Sequence, residues 1–211
     1  NQSSDNTWKI LVDNLDGFRN KFNLKIIRTK ENIGYAGSQK LAYSIALENK
    51  AVKYVAMLHG DGQYDSKFLP DLIEKIKNNY ALVNGFRDKK TFPNEEETPL
   101  HTYYIIRLLN WLENIVTGIN CKEWHSGFVI YRTTFLNKIP LDKLSKTPHI
   151  DGEFILMANI LEKKISSIPI YKRYKDHIPF QGFDRIKHVF NTLFIMLKYR
   201  FGFFHNIIKE N

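Results

Sequence analysis

Tyr54-Val-Ala-Met-Leu-His-Gly-Asp-Gly-Gln-Tyr64 is the stretch on which the reading of this chain turns. The apolar run from Tyr54 to Leu58 predicts a short buried strand, and it ends abruptly in His59, Asp61 and Gln63. These three alternate along the chain, so their side chains leave on one side if the extended geometry persists. An imidazole, a carboxylate and an amide oxygen meeting at a strand's carboxyl end suit a divalent cation. Mg²⁺ and Mn²⁺ take the oxygens, and Mn²⁺ also accepts the ring nitrogen. Open α/β sheets bind ligands at that end of their strands. The competing reading is a polar turn, Gly60-Asp61-Gly62, that merely closes the strand before a helix. The surrounding sequence favours the metal site.

On both sides of this stretch helix and strand patterns alternate. Helices are predicted at Thr7–Phe22, Ser38–Leu47, Lys67–Asn78, Tyr104–Ile115, Glu153–Leu161 and Arg185–Phe204. Strands are predicted at Leu24–Arg28, Ala81–Phe86, Phe128–Tyr131 and Ile165–Tyr171. Asn32-Ile-Gly-Tyr-Ala-Gly37 reads as a glycine-bearing turn, and the charged residues 88–98, with Glu95 to Glu97, as a surface loop expected to be mobile. Tyr104 and Trp111 at helical spacing read as core. The pattern predicts an α/β fold with a mostly parallel sheet covered on both faces.

A chain of 211 residues can bury one sizeable core, and 43% hydrophobic with 25% charged residues is ordinary for a globular protein. The net charge of +9, from 31 basic and 22 acidic residues, implies an anionic partner. Nucleic acid is disfavoured, because the basic residues are dispersed and no zinc-finger spacing or RNA-binding aromatic signature is present. The lone Cys121 excludes an intrachain disulfide and fits a reducing compartment. No secretory signal and no uncharged apolar run of bilayer length stands out.

In order, these residues resemble the family-two, GT-A-fold glycosyltransferases, closest to the bacterial and dolichyl-phosphate-sugar-synthase-like branch. Asn1-Gln-Ser-Ser-Asp-Asn-Thr7 resembles the tail of the family's Asp-Asp-Gly-Ser-x-Asp-x-Thr segment, and Asn32-Ile-Gly-Tyr-Ala-Gly37 its Asn-x-Gly turn before a helix. His59-Gly-Asp-Gly-Gln-Tyr64 stands at the Asp-x-Asp metal position. Glu123-Trp-His-Ser-Gly-Phe128, Asp151-Gly-Glu153 and Ile168-Pro-Ile-Tyr-Lys-Arg-Tyr174 resemble the Asp-x-x-Ser-Gly-Phe, acidic and Val-Pro-x-x-x-Arg segments. The likeness runs from residue 1 to about residue 175. It departs where His59 replaces the first metal-site Asp, Glu123 replaces an Asp, and Gly85-Phe-Arg87 replaces Gly-Ser-Arg. The family's first strand and its nucleotide-binding turn have no counterpart, so an incomplete sheet edge and nucleotide pocket are expected.

The resemblance implies transfer of a sugar from a nucleoside diphosphate, with Mg²⁺ or Mn²⁺, to a polyprenyl or dolichyl phosphate or to a glycan or lipid hydroxyl. Charge grows on the departing diphosphate, so a metal and basic groups there stabilise the transition state. Asp61, Gln63 and His59 are the expected metal residues. Asp61, Gly62, Arg87 and Arg173 are expected at the donor, the two guanidinium groups as diphosphate clamps. A solvated strand end competes for Arg87. A hydroxyl acceptor needs a general base, and Asp151 aligns with the family's acidic residue, with Glu153 and Glu123 behind it. An ordinary helix N-terminal charge competes for Asp151. A phosphate acceptor needs no base. Ser126 to Phe128 is expected to shape the acceptor side, Trp124 is a minor stacking candidate, and His125 and His149 read as structural.

The C-terminal segment places Ile186, Val189, Phe190, Leu193, Phe194 and Leu197 on one helical face, with Arg185, Lys187, Lys198 and Arg200 near the ends. Such a helix lies in a membrane interface or packs on its own domain, and the pattern describes both. Residues 1–175 are thus expected to form the transferase domain and 176–211 a basic, apolar appendage. The expected location is the cytoplasm, with peripheral contact to the inner membrane face. A nucleotide-sugar-binding protein without turnover is the alternative that His59 keeps open.

Overall fold

The computed structural model describes residues 6–15, 17, 24–174 and 183–209. Helix α1 spans Thr7–Asp13 and α2 Gly34–Glu48. Strand β1 (Tyr54–Leu58), a 3₁₀ turn, α3 (Leu69–Lys77) and β2 (Leu82–Arg87) follow. Then come α4 (Leu100–Thr117), β3 (Phe128–Arg132), α5 (Thr133–Leu136), α6 (Ile150–Ile160) and β4 (Ile165–Ile170). Helices α7 (Phe183–Arg200) and α8 (Phe203–Lys209) close the chain.

The α/β expectation holds, with a mixed sheet of order β1-β3-β2-β4. Strand β3 is antiparallel to both neighbours, while β2 and β4 run parallel. Three strands therefore share one direction, and the reversed β3 between them turns two of the three ladders antiparallel. Period-2 alternation divides the core between the two faces. Leu82, Val129 and Tyr131 meet Tyr43 of α2 and Phe154 of α6 on one side. Val83, Phe128 and Ile130 meet Leu72 and Ile76 of α3 on the other. Gly85 allows β2 and β4 to approach, since a Cβ there would sit 2.2 Å from Ile170 Cδ1.

Some expectations fail for physical reasons. Leu24–Arg28 forms no strand, because among the described residues no strand lies beside it to complete a ladder. The first helix ends at Asp13 rather than Phe22, and residues 16 and 18–23 of its expected range, like residues 1–5 of the first motif, lie outside the described residues. The C-terminal helix is two helices, interrupted at Gly202, whose φ of 78° is left-handed. Tyr199, Phe204 and Ile207 from this segment join the core that holds Phe154. The loop 88–98 is not merely solvated. Glu96 is buried and accepts the Lys172 backbone N–H at 2.7 Å, and Glu97 accepts that of Tyr174 at 2.8 Å.

Helix α4 departs most from expectation. Its buried residues are Asn110 and Glu113, whereas Leu100, Tyr104, Leu108, Trp111 and Ile115 are each more than half exposed. The helix turns its polar side inward because that side holds the loop leading into β3. Asn110 accepts the Trp124 backbone N–H, Asn114 accepts the Trp124 indole N–H at 2.8 Å, and Glu113 meets His125 at 2.8 Å. No helix among the described residues is long and apolar enough to cross a membrane.

Candidate active site

The site forms where β1 ends. Leu58 pairs with Phe128, and the His59 N–H donates to the Gly127 carbonyl at 3.2 Å. The His59 ring lies over Gly127, where a Cβ would come within 2.6 Å of it and of Tyr64. The glycine of Ser126-Gly127-Phe128 thus makes room for the imidazole, a close-approach requirement that spacing alone does not reveal. After His59 the chain turns. Gly62 has φ 72°, and Asp61 Oδ1 accepts the Gln63 N–H at 3.0 Å. The extended geometry that would align all three side chains is broken. His59 and Asp61 still converge, Nδ1 to Oδ2 being 3.9 Å, with both side chains partly open to solvent. Gln63 is buried, and its carbonyl accepts the Arg173 N–H at 2.9 Å.

Helix α2 supplies the next layer. Asn32 Oδ1 accepts the Gly34 N–H at 2.9 Å, and Gly34 takes φ 70°, which starts the helix and explains the Asn-x-Gly turn. Tyr35 and Gln39 then point at Asp151, the first-turn acid of α6. The Tyr35 hydroxyl donates to Asp151 Oδ2 at 2.8 Å and lies 2.8 Å from His59 Nε2. The Gln39 amide donates to Asp151 Oδ1 at 3.1 Å, and the Tyr43 hydroxyl donates to Gln39. Burial raises the Asp151 carboxyl to about 6, and the Gln39 and Tyr35 hydrogen bonds and the His125 charge oppose the rise. Burial also lowers the His59 pKa, against the pull of Asp61, so the ring favours its neutral, ligating form. Burial, then the Asp151 charge, raises the Tyr35 hydroxyl and keeps it protonated.

Two expected participants are paired with each other. Arg87, at the end of β2, donates from Nε to Glu123 Oε1 at 2.6 Å and also from Nη2, and its backbone N–H takes Oε2 at 2.9 Å. Both residues are buried. In this arrangement Glu123 neutralises Arg87, so neither a free base nor a free diphosphate clamp stands here. Glu153 also leaves the site. Two positions along a helix from Asp151, it faces the other way and accepts the Ser145 N–H at 2.7 Å. Burial raises it to about 7. Arg173 is at the surface, where Nη2 donates to the Tyr171 hydroxyl at 2.8 Å and to Asp65 at 3.3 Å. Trp124 is buried and holds no open stacking face. His125 is pushed down by burial, but the Glu113 carboxylate outweighs this and leaves it raised.

Lys172 is the cation that the motif reading passed over in favour of Arg173. Its ammonium lies 5.0 Å from the Tyr64 ring and 5.3 Å from the Tyr174 ring. Burial, then the charge of Arg87, lowers it to about 8, and Asp61 is among the carboxylates that pull it back. Its place between Tyr171 and Arg173 in the Ile168–Tyr174 segment is the signal the sequence offers, and a lysine beside an arginine carries little information.

The His59–Asp61 pair fits a divalent cation in part. One nitrogen and one carboxylate oxygen face each other with an open side, a donor pair that a divalent cation can share with other ligands. Among the described residues no third His, Cys, Asp or Glu joins them. Phosphate oxygens and water would complete such a shell, as is usual for these cations.

The four-stranded mixed sheet flanked by helices matches the GT-A fold. The chain belongs to glycosyl transferase family 2, whose profile matches residues 1–144. An uncharacterised protein of Methanocaldococcus jannaschii is 28% identical over 131 residues, 62% of this chain and 52% of its own, so the chain spans about half the length of that relative. Glucosyl-3-phosphoglycerate synthase of Mycobacterium tuberculosis shares the fold. Its complex with phosphoglyceric acid aligns with a TM-score of 0.60 at 12% identity, covering 94% of this chain and 65% of that one. Its complex with Mn²⁺, uridine diphosphate and phosphoglyceric acid gives 0.61 at 11%, covering 94% and 64%.

Proposed function

We propose that the protein transfers a sugar from a nucleoside-diphosphate sugar to an acceptor. The observation that carries this reading is the convergence of His59 and Asp61 from the end of β1 with Asp151 from α6 through the Tyr35 hydroxyl. His59 Nδ1 and Asp61 Oδ2 would hold a divalent cation, which when bound neutralises charge on the diphosphate leaving group. The Lys172 ammonium is placed to face the same charge, and Arg173 stands at the rim. Gly62 leaves the turn open, with nothing within 4 Å of where its Cβ would be. Asp151, across the site, takes the proton of a hydroxyl acceptor. The synthase from Mycobacterium tuberculosis has been crystallised with Mn²⁺, UDP-glucose and glycerol 3-phosphate, which supports a metal-assisted nucleotide-sugar reaction here. Incubation with labelled nucleotide sugars and Mn²⁺ or Mg²⁺ tests the reading. Metal-dependent transfer or hydrolysis is expected, and its absence across uridine and guanosine donors, in a longer form of the protein too, would sink it.

We further assign the transfer chemistry to residues 1–175 and membrane contact to the helices beyond 176, together with α4. The acceptor on this reading is a polyprenyl or dolichyl phosphate, which needs no base, or a glycan or lipid hydroxyl, which uses Asp151, presented at the cytoplasmic membrane face. The outward apolar side of α4 supports it, as do exposed Phe190, Phe194, Leu197 and Phe201 of the C-terminal segment, and Lys198, whose amine lies over Phe194 and Phe203. Apolar and aromatic surface with adjacent cations suits an anionic bilayer. The charge-neutralised Arg87 favours the second reading, a nucleotide-sugar-binding protein without turnover. Binding of donor with neither hydrolysis nor transfer would select it.

A further inference from the structure

Tyr35 stands between the two halves of the candidate site, and its hydroxyl has one proton to give. Asp151, in its carboxylate form, can only accept, with Oδ1 taken by the Gln39 amide at 3.1 Å and Oδ2 by Tyr35 at 2.8 Å. The hydroxyl proton therefore points at Asp151. The same oxygen must then accept from His59 Nε2, 2.8 Å away, which requires the ring proton to be on Nε2. Nδ1 is left with its lone pair, on the side of the ring where Asp61 Oδ2 lies at 3.9 Å. The packing agrees with this. The Tyr35 and His59 rings meet edge to face at 5.3 Å, and Tyr64 holds the other side of the imidazole at 5.8 Å.

We propose that Tyr35 is a positioning residue that fixes His59 in the Nε2–H tautomer and so presents Nδ1, with Asp61, to a divalent cation, while the same hydroxyl anchors Asp151. The inference rests on the reading of His59 and Asp61 as the metal pair. It adds that the metal side and the acceptor side of the site are oriented by one hydroxyl group. In metal sites generally, the partner that orients a ligating histidine affects affinity about 10- to 100-fold. A tyrosine hydroxyl held by a carboxylate supplies that service here from a different helix.

Two measurements test this without relying on turnover. Long-range ¹⁵N–¹H correlation spectra of the histidine rings report the tautomer directly. His59 is expected as Nε2–H in the unaltered protein, and finding Nδ1–H would overturn the proposal before any variant is made. Electron paramagnetic resonance of free Mn²⁺ then gives metal affinity in the absence of nucleotide. Tyr35→Phe, which keeps the ring packing, is expected to bind Mn²⁺ about 10- to 100-fold more weakly and to show mixed His59 tautomers. Ser38→Ala, which removes a hydroxyl on the same helix that bonds the Gly34 carbonyl and not this network, is expected to retain both. His59→Ala separates the two levels of inference. If His59→Ala weakens Mn²⁺ binding and Tyr35→Phe does not, Tyr35 is no positioning residue. If His59→Ala leaves Mn²⁺ binding unchanged, the reading of the metal pair itself fails, and the proposal falls with it.

Discussion

The Arg87 guanidinium closes on the Glu123 carboxylate, Nε to Oε1 at 2.6 Å, and the Arg87 backbone N–H takes the other oxygen at 2.9 Å. Each is the other's counter-ion in a buried setting. Removing one partner strands the second, so Arg87→Ala should lose about 3–5 kcal/mol of stability. The double change Arg87→Met, Glu123→Leu should recover much of it, as replacing both charges with apolar groups often does. Denaturant melts of the two variants and the unaltered protein decide this. An Arg87→Ala protein of ordinary stability that no longer binds nucleotide sugar would return Arg87 to the diphosphate.

Asp61 sits on a surface turn, so Asp61→Ala should fold. It should lose metal-dependent transfer by several kcal/mol of barrier, as expected when support for a leaving group is withdrawn. Transfer assays at saturating Mn²⁺, run beside a thermal melt, separate the two effects. Turnover close to that of the unaltered protein would remove Asp61 from the mechanism.

Asp151 must be ionised to take a proton, and burial sets its pKa at about 6. With a hydroxyl acceptor, kcat should therefore rise with pH through about 6 and then level off. Asp151→Asn should lower that plateau by roughly 10²–10⁴ while nucleotide-sugar affinity stays nearly intact. With a polyprenyl phosphate the same change should be mild. Full activity of the variant on an alcohol would defeat the base assignment.

Glu153 bears on stability. Its carboxyl is raised to about 7 in the fold from 4.5, burial being the main cause, so the folded protein keeps a proton that the unfolded chain has released between those values. Stability should fall as pH rises across that window and be level above it, a loss of at most about 3 kcal/mol. Glu153→Gln removes its share of the slope and leaves the share that Asp151 gives below about 6, while the new amide carbonyl still accepts the Ser145 N–H. Unfolding curves from pH 4 to 8 are the check, and parallel profiles for the two proteins would refute it.

The exposed side of α4 makes a separable claim. Leu108→Glu with Trp111→Glu should change folding stability by no more than about 0.5 kcal/mol, since both side chains face outward. Sedimentation with vesicles containing phosphatidylglycerol should drop sharply for the variant. Equal sedimentation would end the membrane reading for this face, and a dimer that dissociates on substitution would identify a second copy as the partner instead.

What the sequence determined by itself is what short-range pattern encodes. The strand from Tyr54 to Leu58, the turn opening at Asn32 and the α/β class follow from periodicity, capping and ordered motifs, and the same motifs single out Asp61 and Asp151 as candidates. Only the tertiary structure decided which charges are available to a substrate. Arg87 and Glu123 are 36 residues apart and cancel, while Lys172, passed over in the motif, comes to lie near Asp61. Tyr35 joins His59 and Asp151 across 24 and 116 residues. Charge pairing and hydrogen bonding depend on distances between atoms that the fold brings together, and no local pattern carries those distances. The same holds for α4, whose apolar stripe reads as core until the loop from Cys121 to His125 is seen to claim its polar side.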